Sequence, residues 1–265
     1  MVALKPAASA RAAPLSVVIC CRDEAASLPS LLADLALGPE LVREVLVVDG
    51  GSRDGSPGLA RLAGARVLQA DPCRGAQLAL GASRAEAPWL LLLHADLRLP
   101  GHWPQLLQGV IHSSRGGRRR PVAWAFRLAI RHAGPALHLV EGGVLLRCLL
   151  RQQPYGDQGL LLQAASLRAC GGIQTLPLME DLDLVLRLAR LGPIRLLAGA
   201  VQVSERRWRR LGVWRTTWTN ARLRRQWRRG ASAELLAASY RGGQPGDQEA
   251  YQNAQRRCSG SSSQP

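Results

Sequence analysis

The sequence predicts an α/β fold, with a mainly parallel sheet flanked by helices and a second half of mixed character. Two observations carry this. Short continuous apolar runs alternate with amphipathic stretches through the first hundred residues, the pattern of strands covered on both faces by crossover helices. Each of the strongest runs stops on charged or glycine-rich turn residues, as buried strands do where they hand over to helices. With 265 residues and 47% apolar content, the chain can supply a substantial core.

Taken in order, Leu15 to Cys20 is a β-branched apolar strand, and the polar turn Arg22-Asp23-Glu24 opens a helix running through Leu35. Glu44 to Asp49 is a second strand, ending in Gly-Gly-Ser-Arg-Asp-Gly and a helix with Pro57 in its first turn. Arg66 to Gln69, Gly75 to Ala85 and Trp89 to Leu93 supply a third strand, a third helix and a fourth strand of nearly pure leucine. This βα order implies right-handed crossovers. After Leu99 come a helix over Gly101 to His112, a basic loop Arg115 to Arg120, an alternating strand Ala123 to Ile130 and a helix Pro135 to Arg151. A polar turn Tyr155 to Gly159, a short strand and a Gly171-Gly172 stop follow. Glu180 to Leu191 is a helix, acidic at its start and closed by Gly192-Pro193. The arginine- and tryptophan-rich segment beyond it completes the fold as one or two helices. Residues 1–13 and 242–265, rich in Ala and in Gly, Ser and Gln respectively, are expected to be disordered.

Charge is concentrated. The net charge is +16, and Glu205 to Gly230 holds ten arginines, one acid and Trp208, Trp214, Trp218 and Trp227. Such a segment suits an anionic membrane surface, nucleic acid or phosphorylated substrates, and composition does not separate them. No apolar leader precedes the first strand and no long uncharged run suggests a membrane span. Cytoplasmic placement is therefore the expectation, with peripheral seating on the inner face of the membrane as an addition. The six cysteines form no CxxC pair, so neither a disulfide framework nor a structural zinc site is indicated.

In an open parallel sheet, ligands bind beyond the carboxyl ends of the strands. The strand ends here carry Arg22, Asp23 and Glu24; Asp49 and, five residues on, Asp54; and His94-Ala95-Asp96. These acids suit a ribose and a divalent cation, although each also reads as a helix cap or turn residue. No GxGxxG or P-loop pattern follows the first strand, which argues against a dinucleotide oxidoreductase or an NTPase.

Ser-Val-Val-Ile with Arg-Asp-Glu-Ala, Val-Val-Asp-Gly-Gly-Ser-Arg-Asp-Gly, Arg-Gly-Ala-Gln and Leu-Leu-His-Ala-Asp, in this order, resemble inverting family 2 glycosyltransferases. Pro-Tyr-Gly-Asp-Gln-Gly-Leu, Pro-Leu-Met-Glu-Asp-Leu-Asp-Leu and Arg-Arg-Trp resemble the short branch named for arsenosugar biosynthesis or radical-SAM association. The resemblance implies a GT-A type, Rossmann-like fold, with a donor half over 14–100 and an acceptor half over 101–241. It further implies a nucleotide-diphosphate sugar donor (UDP- or GDP-like) and Mg²⁺ or Mn²⁺. Arg22, Glu24, Asp49, Ser52 and Asp54 would hold the donor nucleoside, and Arg74, His94, Arg206 and Arg207 its diphosphate. Asp96 matches the last acid of a DxD-like metal motif in which His94 replaces the first. Asp181, beside Glu180, matches the catalytic base, and Tyr155, Asp157, Gln158 and Trp208 would line the acceptor side. A small-molecule or lipid-linked acceptor follows, with no nucleic-acid partner expected. The contrasting reading is a basic membrane- or nucleic-acid-binding module on a catalytically degenerate GT-A fold. A nucleotidyltransferase would need a Gly-rich basic loop after the first strand, which Cys20-Cys21-Arg22 does not provide.

Overall fold

The computed structural model describes residues 13–113, 121–132 and 134–241. The basic loop at 115–120 and both ends expected to be disordered, save a buried Ala13, fall outside the described residues.

Four βα units build the first half: β1 (Leu15–Cys21), α1 (Leu28–Leu35), β2 (Val42–Asp49), α2 (Ser56–Leu62), β3 (Arg66–Gln69), α3 (Arg74–Arg84), β4 (Trp89–His94) and α4 (Trp103–Ser113). The second half comprises β5 (Ala123–Ile130), α5 (Pro135–Arg151), a 3-10 turn at Gly156–Gln158, β6 (Leu160–Gln163), α6 (Ala164–Ala169), α7 (Glu180–Leu191) and β7 (Ile194–Val203), then α8 (Arg206–Leu211), α9 (Val213–Arg228) and α10 (Ala233–Arg241). The seven strands form one sheet in the order β3-β2-β1-β4-β6-β5-β7. β1 pairs in parallel with β2 and β4, β2 with β3, and β5 with β7, whereas β6 runs antiparallel to β4 and β5.

Alternation along the strands divides the core into two layers. Val17, Ile19, Val47, Leu91, Leu93 and Phe126 face α1, α4 and α5, while Val18, Leu46, Val48, Leu90, Leu92 and Leu162 face α3 and α7. Both sets are buried, which is why Val17 to Cys21, Val45 to Val48 and Trp89 to Leu93 read as unbroken apolar runs. Polar ties fix the layers. Buried Gln77 of α3 donates from Nε2 to the carbonyls of Cys21 and Val48, at 2.8 Å each, locking α3 across the ends of β1 and β2. Arg98 grips Asp34 of α1 through Nε and Nη2, at 2.7 and 2.8 Å. Gly75 leaves room for the loop that precedes α7, since a Cβ there would stand 2.5 Å from the Gln174 carbonyl.

Three elements are absent from the sequence reading: the short α6, the long strand β7, and α10, which follows the basic segment. The basic segment itself forms two helices, α8 and α9, as expected. β7 lies at the sheet edge with its burial alternating, so it lacks the solid apolar signature of β1 and β4.

Candidate functional site

The ends of β1 and β4 are neighbours, and the residues that follow them frame a cavity of about 660 Å³. Arg22 and Glu24 form one wall, Arg74 and Gln77 of α3 a second, and His94 and Asp96 a third. Glu180 of α7, Ser204, Arg206 of α8 and Tyr240 of α10 close it from the other half of the chain. The cradle is rigid because the β1 and β2 turns bind each other. Ser52 Oγ accepts from the Asp23 N–H at 2.8 Å, Asp23 Oδ1 from the Arg53 N–H at 2.7 Å, and Asp54 Oδ2 from the Ala25 N–H at 2.8 Å. Asp23 holds a left-handed φ of 54° to complete this latch, a conformation few non-glycine residues adopt.

Charge at the cavity is uneven. Burial, and then the negative charge of Asp96, raise the Glu24 carboxyl above its ordinary value. Arg206 offsets part of this, its Nη2 lying 3.7 Å from Glu24 Oε2 and 3.2 Å from Ser27 Oγ. Asp96 itself has no ion-pair partner among the described residues. An unpaired carboxylate beside a second acid fits a divalent cation, with diphosphate oxygens and water completing its shell, as Mg²⁺ commonly binds. No group of three or more His, Cys, Asp or Glu side chains among the described residues is placed to hold a metal by itself.

A second cavity of about 230 Å³ shares Arg74, His94, Asp96 and Glu180 with the first. Its own walls include Tyr155, Asp157, Asp181, Trp208 and Arg224. Met179, at a left-handed φ of 69°, starts α7 abruptly and sets Glu180 and Asp181 in its first turn. Asp181 accepts from the N–H of Gly156 at 2.8 Å and of Leu182 at 2.7 Å, so its carboxylate is pinned between α7 and the 3-10 turn. Gly156 is required there, because a Cβ would fall 2.6 Å from His94 Nε2. Burial, then the Asp181 charge, raise Glu180, which is 3% exposed. Burial and the Arg74 charge push His94 well below its ordinary value, leaving a neutral imidazole at neutral pH. Burial raises Asp157 to about 6. His94 Nε2, Tyr155 Oη and Asp157 Oδ1 are buried with no hydrogen-bond partner among the described residues.

The residues named from sequence are thus largely brought together: Arg22, Glu24, Arg74, His94, Asp96, Glu180 and Arg206 around the larger cavity, and Tyr155, Asp157, Asp181 and Trp208 around the smaller. Four stand apart from both linings. Asp49, 1% exposed, is satisfied locally by the Gly51 and Ser52 N–H groups and by Ser52 Oγ. Ser52 and Asp54 belong to the latch between turns. Gln158 is buried in the fold, donating to the Phe126 carbonyl at 2.9 Å and accepting from Arg147 at 3.2 Å. The Arg207 side chain lies outside what the structure describes. Ser204, Asn220, Arg224 and Tyr240 line the cavities without any motif having pointed to them. α7, α8 and α10, from the second half of the chain, also line the larger cavity.

A parallel sheet opening at its strand ends, joined to a mixed half that carries a second pocket on the same edge, is the GT-A architecture. Residues 16–133 match the family model described as glycosyl transferase family 2. Glucosyl-3-phosphoglycerate synthase from Mycobacterium tuberculosis, solved with Mn²⁺, UDP and glucosyl-3-phosphoglycerate, is similar in fold at 21% identity, covering 74% of this chain and 72% of that one with a TM-score of 0.52. S. aureus TarS, residues 1–349 with UDP-GlcNAc, is similar at 15% identity, covering 72% of this chain and 58% of that one with a TM-score of 0.57. A TPR repeat-containing protein of Synechococcus elongatus is 38% identical over 89 residues, 33% of this chain and 21% of that protein. The matched segment thus spans about a fifth of that relative's length.

Proposed function

We propose that this protein is an inverting glycosyltransferase that moves a sugar from a UDP- or GDP-like nucleotide-diphosphate sugar to a small-molecule or lipid-linked acceptor. The observation that carries this reading is the shared wall of the two cavities, with Asp96, which has no ion-pair partner among the described residues, facing both and the pinned Asp181 lining the smaller one alone. The family 2 match over residues 16–133 and the metal- and UDP-bound neighbours agree with it. Within the family, the second-half motifs favour the short branch named for arsenosugar biosynthesis, and no residue argues for arsenic chemistry.

In this mechanism the donor diphosphate occupies the larger cavity, against Arg74 at the start of α3 and Arg206 of α8. Asp96, with Glu24 beside it, would hold Mg²⁺ or Mn²⁺. The cation, when bound, supplies positive charge to the departing diphosphate. Arg206 adds to that charge and is already oriented by Glu24 and Ser27. The acceptor enters the smaller cavity, where Trp208 and the Tyr155 ring offer apolar contact and the unpartnered Tyr155 Oη and Asp157 Oδ1 offer hydrogen bonds. Asp181 takes the acceptor hydroxyl proton while that oxygen attacks the anomeric carbon from the side opposite the diphosphate. Its two backbone hydrogen bonds orient the carboxylate for this step.

Single-turnover transfer or donor hydrolysis with a panel of nucleotide sugars, with and without EDTA, tests the reading. The expected result is metal-dependent release of one nucleoside diphosphate, lost in Asp96→Ala. Release that persists in EDTA would overturn the role given to Asp96.

A further inference from the structure

α5 is apolar on the side where a surface helix is normally polar. Leu137, Val140, Val144 and Cys148 face the core. Leu139, Leu146, Leu149 and Leu150 recur at helical spacing on the outside and are 56% to 73% exposed. α9 packs beside this helix. The two are joined by Arg228, which donates to Gln153 Oε1 at 2.5 Å just beyond α5. They are joined again by Tyr155, whose ring lies under Arg147 of α5 at 3.7 Å and Arg224 of α9 at 5.5 Å. While Thr216 and Leu223 of α9 are buried, its outward face presents Trp214 and Trp218, 60% and 75% exposed, followed by the exposed Arg222 and Arg225. A leucine stripe and a tryptophan-arginine stripe thus lie on neighbouring helices.

The charge around the stripe selects its occupant. A second copy of the chain, packed about a twofold axis, would set this patch against itself. The exposed Arg222 and Arg225, on a helix that carries no acid, would then oppose the same array, and like-charge juxtaposition is costly. An anionic bilayer offers acyl chains to the leucines, an interfacial zone to the tryptophans and phosphates to the arginines. We propose that the α5–α9 face seats this protein on an anionic membrane surface, with the leucine stripe and Trp218 entering the headgroup layer. The basic segment alone had suggested a membrane; the leucine face of α5, absent from that argument, supplies the apolar half of the contact. Resting on the proposed reaction, one consequence follows: Asn220, Leu223 and Arg224 of α9 line the acceptor cavity, so a lipid-linked acceptor would meet its site beside the seated face.

Flotation of the full chain with vesicles of phosphatidylcholine alone, and of phosphatidylcholine mixed with phosphatidylglycerol, tests this. Binding is expected only to the anionic vesicles. It should weaken by at least about tenfold in the double variant Leu146→Ser/Leu150→Ser and disappear in Arg222→Glu/Arg225→Glu. No flotation, or flotation untouched by the leucine variant, overturns the proposal. So does a dimer of the wild-type chain that the leucine variant dissociates, which would make the face a self-contact. Thermal melting and UDP titration of each variant separate misfolding from lost docking. Vesicle binding without any nucleoside diphosphate binding would instead sink the proposed reaction and leave the docking face standing.

Discussion

The two cavities differ in how their polar groups are partnered. Behind the Arg22 and Glu24 wall of the larger one, outside both linings, the β1 and β2 turns satisfy each other: Asp23, Asp49, Ser52 and Asp54 spend their oxygens on backbone N–H groups of the two turns. Around the smaller one His94 Nε2, Tyr155 Oη and Asp157 Oδ1 are buried without partners, and an unmade buried hydrogen bond costs about 1–3 kcal/mol. The turns that brace the larger cavity are a finished frame, whereas the smaller cavity gains from any ligand that supplies hydrogen bonds. Under the proposed function, a donor shared by many enzymes suits the first arrangement and a selective acceptor the second, because a site with unpaired polar groups rejects ligands that leave them unpaired.

The contrast can be broken most forcefully at Asp181. Asp181→Asn should lower the rate of transfer by roughly 10²–10⁴-fold, while UDP or GDP affinity stays within about twofold; isothermal titration beside steady-state kinetics reads both. An equal loss in both would place Asp181 in donor binding. Next in size, Asp96→Ala should weaken Mn²⁺-dependent diphosphate binding at least about tenfold and leave metal-free binding unchanged.

Asp157 sharpens the contrast at the smaller cavity through stability. Burial raises its folded-state value to about 6 from an ordinary 3.8, so between these values the folded state binds more protons than the unfolded one. Stability attributable to this group therefore falls as pH rises through that window and stays low above it. Asp157→Asn should be more stable than the wild type by about 1–2 kcal/mol above pH 7, with the gain vanishing below about pH 4 in paired denaturant melts. The smallest expected effect is on the donor latch. Asp54→Ala removes acceptors for the Ala25 and Ser56 N–H groups, and should cost about 1 kcal/mol, read as a lowered Tm with full activity retained under saturating donor.

The first half was legible in sequence because the cores of its central strands are buried on both faces. β1, β2 and β4 carry the apolar runs Val17 to Cys21, Val45 to Val48 and Trp89 to Leu93, each ending on the residues that frame or brace the cavity. Asp49 shows where such reading stops. It ends a buried apolar strand, and its local partners are Gly51 and Ser52 of the following turn, which only three-dimensional hydrogen bonding reveals. β7 is not legible in sequence because Arg195, Gly199 and Gln202 break its apolar character at an edge where half its side chains meet solvent. Arg224 and Tyr240 reach the cavities only through the folding back of α9 and α10, and nothing in an arginine run marks which member turns inward.

The central claim is that the cavity beyond β1 and β4 binds a nucleoside diphosphate through a cation held by Asp96. Calorimetric titration of the intact chain with UDP, GDP, CDP and TDP, each with and without Mn²⁺, tests it most directly. The account predicts Mn²⁺-dependent binding of one of these diphosphates, abolished in Asp96→Ala. Binding of none of them, or binding indifferent to Mn²⁺ and to Asp96, would contradict it.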